Sequence, residues 1–262
     1  MSTAVQSRRA MNHGATYWAR LSGLALAAAL LALLQLHPAR AEGPSPLFNT
    51  AAATHAPATL SGNDEKVAAL FDMDTEPLAE GEVLKKWNRA RAAIEEDRQT
   101  VDRCRADSEC PEAAQRLIEL SSEGAGRDGR AKVGLVNRAV DLAIAPASDE
   151  AQWRVPDQWS APLETLRSGR GDCEDYAIVK YAALSAAGIP ERDMKIVILT
   201  NAFPNEDHAV LAVRVEGEWL ILDNRNLALV RDTEVTRAIP RLVLDEAGVR
   251  RFVSRSRTRR VG

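Results

Sequence analysis

At Gly188-Ile189-Pro190 the chain changes its hydrophobic period, and that switch constrains its fold more than any other feature. Ahead of it, apolar residues return at helical spacing. Leu84, Trp87, Ile94 and Val101 mark a helix over Gly81 to Arg103. Pro111 suits the first position of a short helix that continues through Leu117, Ile118 and Leu120. "SSEGAGRDGR" interrupts, and Val133, Val136, Val140 and Ile144 then mark an amphipathic helix over Lys132 to Ala145, ended by Pro146. An irregular stretch with two tryptophans leads into a last helix over Asp172 to Ala187, with Gly188 past its end and Pro190 beyond. After that the apolar runs are short and β-rich: Met194–Thr200, His208–Val215 and Trp219–Asp223. Glu216-Gly217 joins the last two as a hairpin.

The first 41 residues carry arginines and no acid, then an apolar run from Leu21 to Leu36, then Ala39-Arg40-Ala41. That order is the one a cleavable secretory signal follows. The run is shorter than the ~20 residues a bilayer span needs. Cleavage near Ala41 leaves Glu42–Gly262, a length that suits one domain with an appended helical piece, in the periplasm or secreted. Residues 42–62, rich in Ala, Pro and Thr, read as a flexible lead-in. The formal charge is −3, and loss of the arginine-bearing leader makes the remainder more negative, so overall charge argues against a nucleic-acid partner. The exception is the end of the chain, where Arg250 to Arg260 holds six arginines and no acid. It reads as a solvated terminus or as a contact for an anionic surface.

Export gives the three cysteines meaning. Cys104 and Cys110 lie between two helical patterns and are natural disulfide partners in an oxidising compartment. Cys173 is left over, as a dimer link or a working thiol. A cysteine nucleophile needs a base, and of the four histidines only His208 falls in the folded part. If Glu216 and Gly217 are the turn residues, Val215 pairs with Glu218 and Asp223 lies opposite Val210. Asp223 and His208 then share one face as diagonal neighbours, roughly 7–8 Å apart at the backbone. A carboxylate there fixes the tautomer of an imidazole and stabilises its cation. A register slip of one residue would separate them.

Cys173 opens a helix, where the dipole favours a thiolate. Asp172, Glu174 and Asp175 oppose that, since nearby negative charge raises a thiol's pKa. Two readings of these acids stand side by side. Asp172 as N-cap with acids in the first turn is ordinary helix chemistry. Alternatively, the acids hold a hard cation such as Ca²⁺, with further oxygens from "APASDEAQW" or "VPDQW".

The blocks "WSAPLETLRSGRGDCEDYAIVKYAALSAAGIP", "DHAVLAV" and "WLILDN", in that order, resemble the bacterial transglutaminase-like cysteine proteinase family, whose LapG-type members are periplasmic proteases that cut biofilm adhesins from the cell surface. The likeness spans about Lys132 to Phe252. It implies an α+β, papain-like and transglutaminase-type fold, with the cysteine's helix packed on an antiparallel sheet. It implies a triad on Cys173, His208 and Asp223, and a calcium site that includes Asp172 and Glu174. It further implies a protein substrate such as a surface adhesin and an inner-membrane receptor as regulator. Cys104, Cys110 and Asp207 are departures from the LapG-type pattern.

The expected organisation is a signal peptide over 1–41, a linker over 42–62, a helical segment over 63–130, a protease core over 131–253 and a basic tail over 254–262. The expected activity is that of a periplasmic cysteine endopeptidase acting on a surface or secreted protein. Transglutaminase or amidase-type acyl transfer on the same thioester is the first rival. A calcium-binding module without catalysis, in which Cys173 is a core thiol, is the second. Oligomeric state is not legible.

Overall fold

The computed structural model describes residues 69–106, 110–202 and 206–254. The expected signal peptide, the linker and almost all of the basic tail lie outside them. In chain order, a 3-10 turn at Leu70–Asp72 precedes β1 (Asp74–Pro77). Three helices follow: α1 (Glu82–Ala106), α2 (Glu112–Ser122) and α3 (Gly129–Ala143). Next come β2 (Ala145–Pro146), α4 (Asp149–Trp153), α5 (Pro162–Ser168), β3 (Arg170–Gly171) and α6 (Cys173–Ala186). The chain then turns to strands, with 3-10 turns at Glu191–Asp193 and Asp232–Glu234: β4 (Met194–Asn201), β5 (Asp207–Val215), β6 (Glu218–Asp223), β7 (Asn226–Arg231), β8 (Ala238–Asp245) and β9 (Gly248–Val253).

The predicted switch of period is therefore real, and it separates two layers. One seven-stranded sheet runs in the order β1-β9-β8-β4-β5-β6-β7, antiparallel at each described pairing. The helices cover one face. Trp87, Val101, Leu117, Val136, Leu166 and Ile178 pack there against Ile196, Leu211 and Leu220 in one core. The opposite face carries a smaller cluster of Val197, Val210, Trp219, Ile221 and Val243 under the 70–72 turn. Phe71 meets Phe252 edge-to-face at 5.6 Å there. Because both faces are covered, β5 is buried from His208 to Val213.

Helix α6 lies at the centre. It is apolar on every side, and each residue from Asp175 to Leu184 is buried. A helix of that composition belongs inside a protein rather than on its surface. Two of its buried residues are charged, Asp175 and Lys180.

The predicted helices occur with shifts of a few residues at their ends, and Pro111 sits at the N-cap position of α2 rather than inside it. The stretch expected to be a helical segment opens with a strand, since β1 pairs with β9 and adds an edge to the sheet. Its helices are not a separate layer. Trp87 of α1 is fully buried, donates from Nε1 to the Asp245 carbonyl at 3.0 Å and meets Tyr181 of α6 edge-on. The Cys104–Cys110 disulfide forms, closing the α1–α2 connection at a Cα separation of 4.9 Å. By chain entropy a loop this short contributes about 2 kcal/mol. The arginine-rich end begins inside the fold: Arg250 and Arg251 belong to β9 and bind Thr75 and Glu76. No helix among the described residues is long and apolar enough to cross a membrane.

Candidate active site

The hairpin forms in the expected register. Glu216 and Gly217 both have positive φ, the mirror-image turn that suits the twist of a two-residue hairpin. Val215 pairs with Glu218 and the ladder runs to Leu211 opposite Leu222, the register expected from the turn. The diagonal pair then closes. His208 Nε2 lies 2.8 Å from Asp223 Oδ1, and the imidazole is almost fully buried. Asp223 Oδ1 also accepts the Arg225 N–H at 2.9 Å. Burial opposes ionisation of Asp223, but the bond from His208 outweighs it, with help from Arg225 and Lys180, and its pKa falls below the ordinary carboxylate value. A carboxylate at Nε2 keeps the proton on that nitrogen and leaves the lone pair on Nδ1. Nδ1 is buried with no protein partner.

Cys173 is the first residue of α6. Its position is set by β3, which pairs with β2 just ahead of the helix, and by Gly171. A Cβ at Gly171 would lie 2.7 Å from Asp175, so only glycine permits that approach. The sulfur is half-buried and lies near the backbone of Ala209, the residue after His208, whose N–H favours the thiolate. The thiol and the imidazole, far apart in sequence, are thus both placed at one end of β5. The thiol donates to Glu174 Oε2 at 3.1 Å. Burial pushes the thiol pKa well up, and the charge of Glu174 adds to that.

The acids around the thiol form a cluster. Asp172 occupies the N-cap position of α6, but its side chain makes no capping bond; it interacts with Glu174 instead. Two sets, Asp149 with Asp157 and Glu174, and Asp149 with Asp172 and Asp175, have ligand atoms within 4.8 Å of one another. Asp149 comes from the "APASDEAQW" stretch and Asp157 from "VPDQW", so both stretches expected to supply oxygens do reach the acids of α6. Asp149 accepts the Gln158 N–H, Asp175 accepts the Ser160 N–H at 2.9 Å, and Asp157 pairs with Lys86. Burial, then the charge of Glu174, pushes Asp172 up to about 8; burial pushes Asp175 up to about 7 and raises Glu174 and Asp149. Asp172 Oδ1 and Asp175 Oδ2 are buried without a partner. An all-oxygen set with unpaired acceptors and raised pKa values fits a hard divalent cation of the calcium type.

A model of bacterial transglutaminase-like cysteine proteinases matches residues 99–236, just over half of the chain. The chain belongs to that family. The matched region contains Cys173, His208 and Asp223, and cysteine peptidase chemistry is the activity of the family. No curated protein matches the chain. Among solved structures, LapG of Legionella pneumophila is similar, with 24% identity, a TM-score of 0.47, and coverage of 60% of this chain and 86% of that one. Its calcium-bound form gives a TM-score of 0.48 at the same identity and coverage. The EGTA-treated form gives 0.47 at 24% identity, covering 60% of this chain and 83% of that one.

Two features of the site escaped the sequence reading. Ser160 contributes a backbone donor, which no side-chain pattern reveals. Lys180 and Asp141 form a buried ion pair of 2.7 Å on α6 and α3. Trp159 of the irregular stretch packs partly buried against the main core.

Proposed function

We propose that this bacterial transglutaminase-like cysteine proteinase is an exported endopeptidase working through Cys173, His208 and Asp223. The observation that carries the reading is the His208–Asp223 bond at 2.8 Å, with the second imidazole nitrogen unpartnered and the Cys173 sulfur near Ala209, the residue after His208. Nucleophile, base and orienting carboxylate are the three parts a thiol peptidase requires.

In the first half-reaction Cys173 Sγ attacks the carbonyl carbon of the scissile peptide and its proton passes to His208 Nδ1. Asp223 stabilises the imidazolium through Nε2–H. The backbone N–H of Cys173, at the start of α6, is a donor for the oxyanion. Collapse breaks the C–N bond. His208 returns its proton to the leaving amine, and a thioester remains on Cys173. In the second half-reaction His208 takes a proton from water, the hydroxide adds to the thioester, and collapse releases the carboxylic acid and restores the thiol.

Asp172 and Glu174, with Asp149, Asp157 and Asp175, are the residues that would hold Ca²⁺. A bound cation supplies positive charge that offsets the carboxylates beside the thiol. The leader over residues 1–41 supports a periplasmic or secreted location, and with it a surface or secreted protein as substrate. The test compares fragments released from surface proteins in cells carrying the wild type or Cys173→Ala, with N-terminal sequencing of the new ends. Ends that need Cys173 are expected. Isopeptide-linked products in their place would mean acyl transfer, and identical fragments from both strains would refute the peptidase.

A further inference from the structure

The sheet face turned away from α6 holds a cavity of about 410 Å³ beside the 70–72 turn. That is the size of a small-molecule site. Its lining follows from strand alternation. Lys195 stands two residues before Val197 on β4, Arg214 two after Ala212 on β5, and Arg250 two before Phe252 on β9. All three therefore share the face of the smaller apolar cluster. Arg192, just ahead of β4, stands exposed at the rim. Four cations thus line one cavity, and among the described residues that line it Asp245 is the one carboxylate.

Packing accounts for two of the cations. Lys195 lies over the Trp219 ring, 5.9 Å from its centroid, and pairs with Asp245. Arg214 lies over the same ring at 5.5 Å and pairs with Asp193. Both are ordinary cation–π contacts. The other two have no such role. Arg250 donates to the Thr75 hydroxyl at 2.7 Å and to its carbonyl at 3.0 Å, both neutral oxygens. Arg192 reaches the rim from the 3-10 turn at Glu191–Asp193. Four cations against two carboxylates leave an excess of positive charge, in a space where the Lys195 and Arg214 side chains are only 23% and 22% exposed. Like charges gathered in this way repel unless an anion joins them. Met73, Val243 and Phe252 give the same cavity an apolar side.

We propose that this cavity binds a small organic oxyanion, a phosphate or carboxylate carried on an apolar body. Arg192 and Arg250 hold the oxyanion, and the body lies against Met73, Val243 and Phe252. Guanidinium groups suit that headgroup because their forked N–H donors match its oxygens. A bare phosphate or carboxylate would leave most of the volume empty, so an organic body is required. The site is separate from the catalytic one. Arg214 is six residues from His208 along β5, roughly 20 Å. Nothing in the proposal depends on the peptidase reading.

Calorimetric titration of the full chain with phenyl phosphate, benzoate and benzyl alcohol tests this. Saturable binding of at least one of the two anions is expected, the tighter of them naming the headgroup, with benzyl alcohol far weaker. Arg192→Gln and Arg250→Gln should each weaken anion binding by about tenfold. Arg192 is exposed, so its variant decides the matter if Arg250→Gln, which also loses Thr75, does not fold. Arg138→Gln, at an exposed arginine of α3 outside the cavity, should bind as the wild type does, and so should Cys173→Ala. The proposal is overturned if neither anion binds saturably at ~10 mM, or if benzyl alcohol binds as tightly as the anions. Wild-type affinity in both arginine variants overturns it too, as does an equal loss in Arg138→Gln. Asp64 and Glu65, a few residues ahead of Ala69 in the lining, are the competing occupant. Binding seen only in Asp64→Asn with Glu65→Gln would assign the cavity to the chain itself and overturn the small-molecule site.

Discussion

The Cys173 thiol donates to the carboxylate of its neighbour Glu174 at 3.1 Å, while Nδ1 of the buried His208 has no partner. In the proposed mechanism one proton thus has two acceptors in competition, and Glu174 belongs to the acidic cluster suited to a cation. Were Ca²⁺ held by this cluster, the Glu174 oxygens would be engaged by the cation and the thiol would be free to turn toward the imidazole. Alkylation of Cys173 by iodoacetamide near neutral pH should therefore be about tenfold faster with Ca²⁺ than with EGTA. Equal rates would remove the metal from the site. A thiol inert under both conditions would favour a non-enzymatic module.

In the proposed mechanism Asp223 orients the base rather than reacting. Asp223→Asn preserves the shape of the side chain but offers no charge to the imidazolium. Peptide hydrolysis should fall by on the order of a hundredfold to ten-thousandfold, as it does when a triad carboxylate is lost. Combined with His208→Gln, the loss should be little larger than for His208→Gln alone, because residues acting as a unit are not additive. Steady-state kinetics on the single and double variants decide this.

Gly171→Ala tests the packing that sets the acidic cluster. The new methyl would stand 2.7 Å from Asp175. Either Asp175 leaves its bond to the Ser160 N–H or β3 moves. Overpacking of this kind typically costs about 1–3 kcal/mol. Urea unfolding should record that loss, and calorimetric titration should show weaker Ca²⁺ binding than in the wild type.

Asp97 of α1 gives a pH signature away from the site. It accepts the Leu163 N–H at 2.8 Å, yet burial raises its pKa above the ordinary value. An acid whose folded pKa lies above its unfolded one binds its proton more tightly when folded. It therefore disfavours the fold once pH exceeds both values, and that penalty fades as pH falls through them. Asp97→Asn keeps an oxygen for Leu163 and removes the charge. It should stabilise the protein at pH 7 by a few tenths of a kcal/mol, scaled down for partial exposure. The gain should shrink toward pH 3. Urea midpoints at the two pH values check the sign.

The legible part of the site was the part written in local pattern. The turn at Glu216-Gly217 sets the register of the hairpin, and register sets which side chains share a face, so His208 and Asp223 could be matched from the sequence. Cys173 stood out because the other two cysteines pair with each other. Asp149 and Asp157 were legible only as stretches rich in oxygen donors, because no local period ties an irregular loop to the start of a distant helix. β7, β8 and β9 went unassigned, since their exposed arginines and polar residues obscure the alternation that marks a strand.

Sequence alone determined the main helices, the strands from Met194 to Asp223 with their hairpin, and the pairing of Cys104 with Cys110, because each depends on neighbours a few residues apart. Tertiary structure alone decided that α6 is wrapped on all sides, that Lys180 meets Asp141 and that Glu174 holds the Cys173 proton. Those outcomes depend on which surfaces exclude water together, and burial is a property of the assembled layers rather than of any segment.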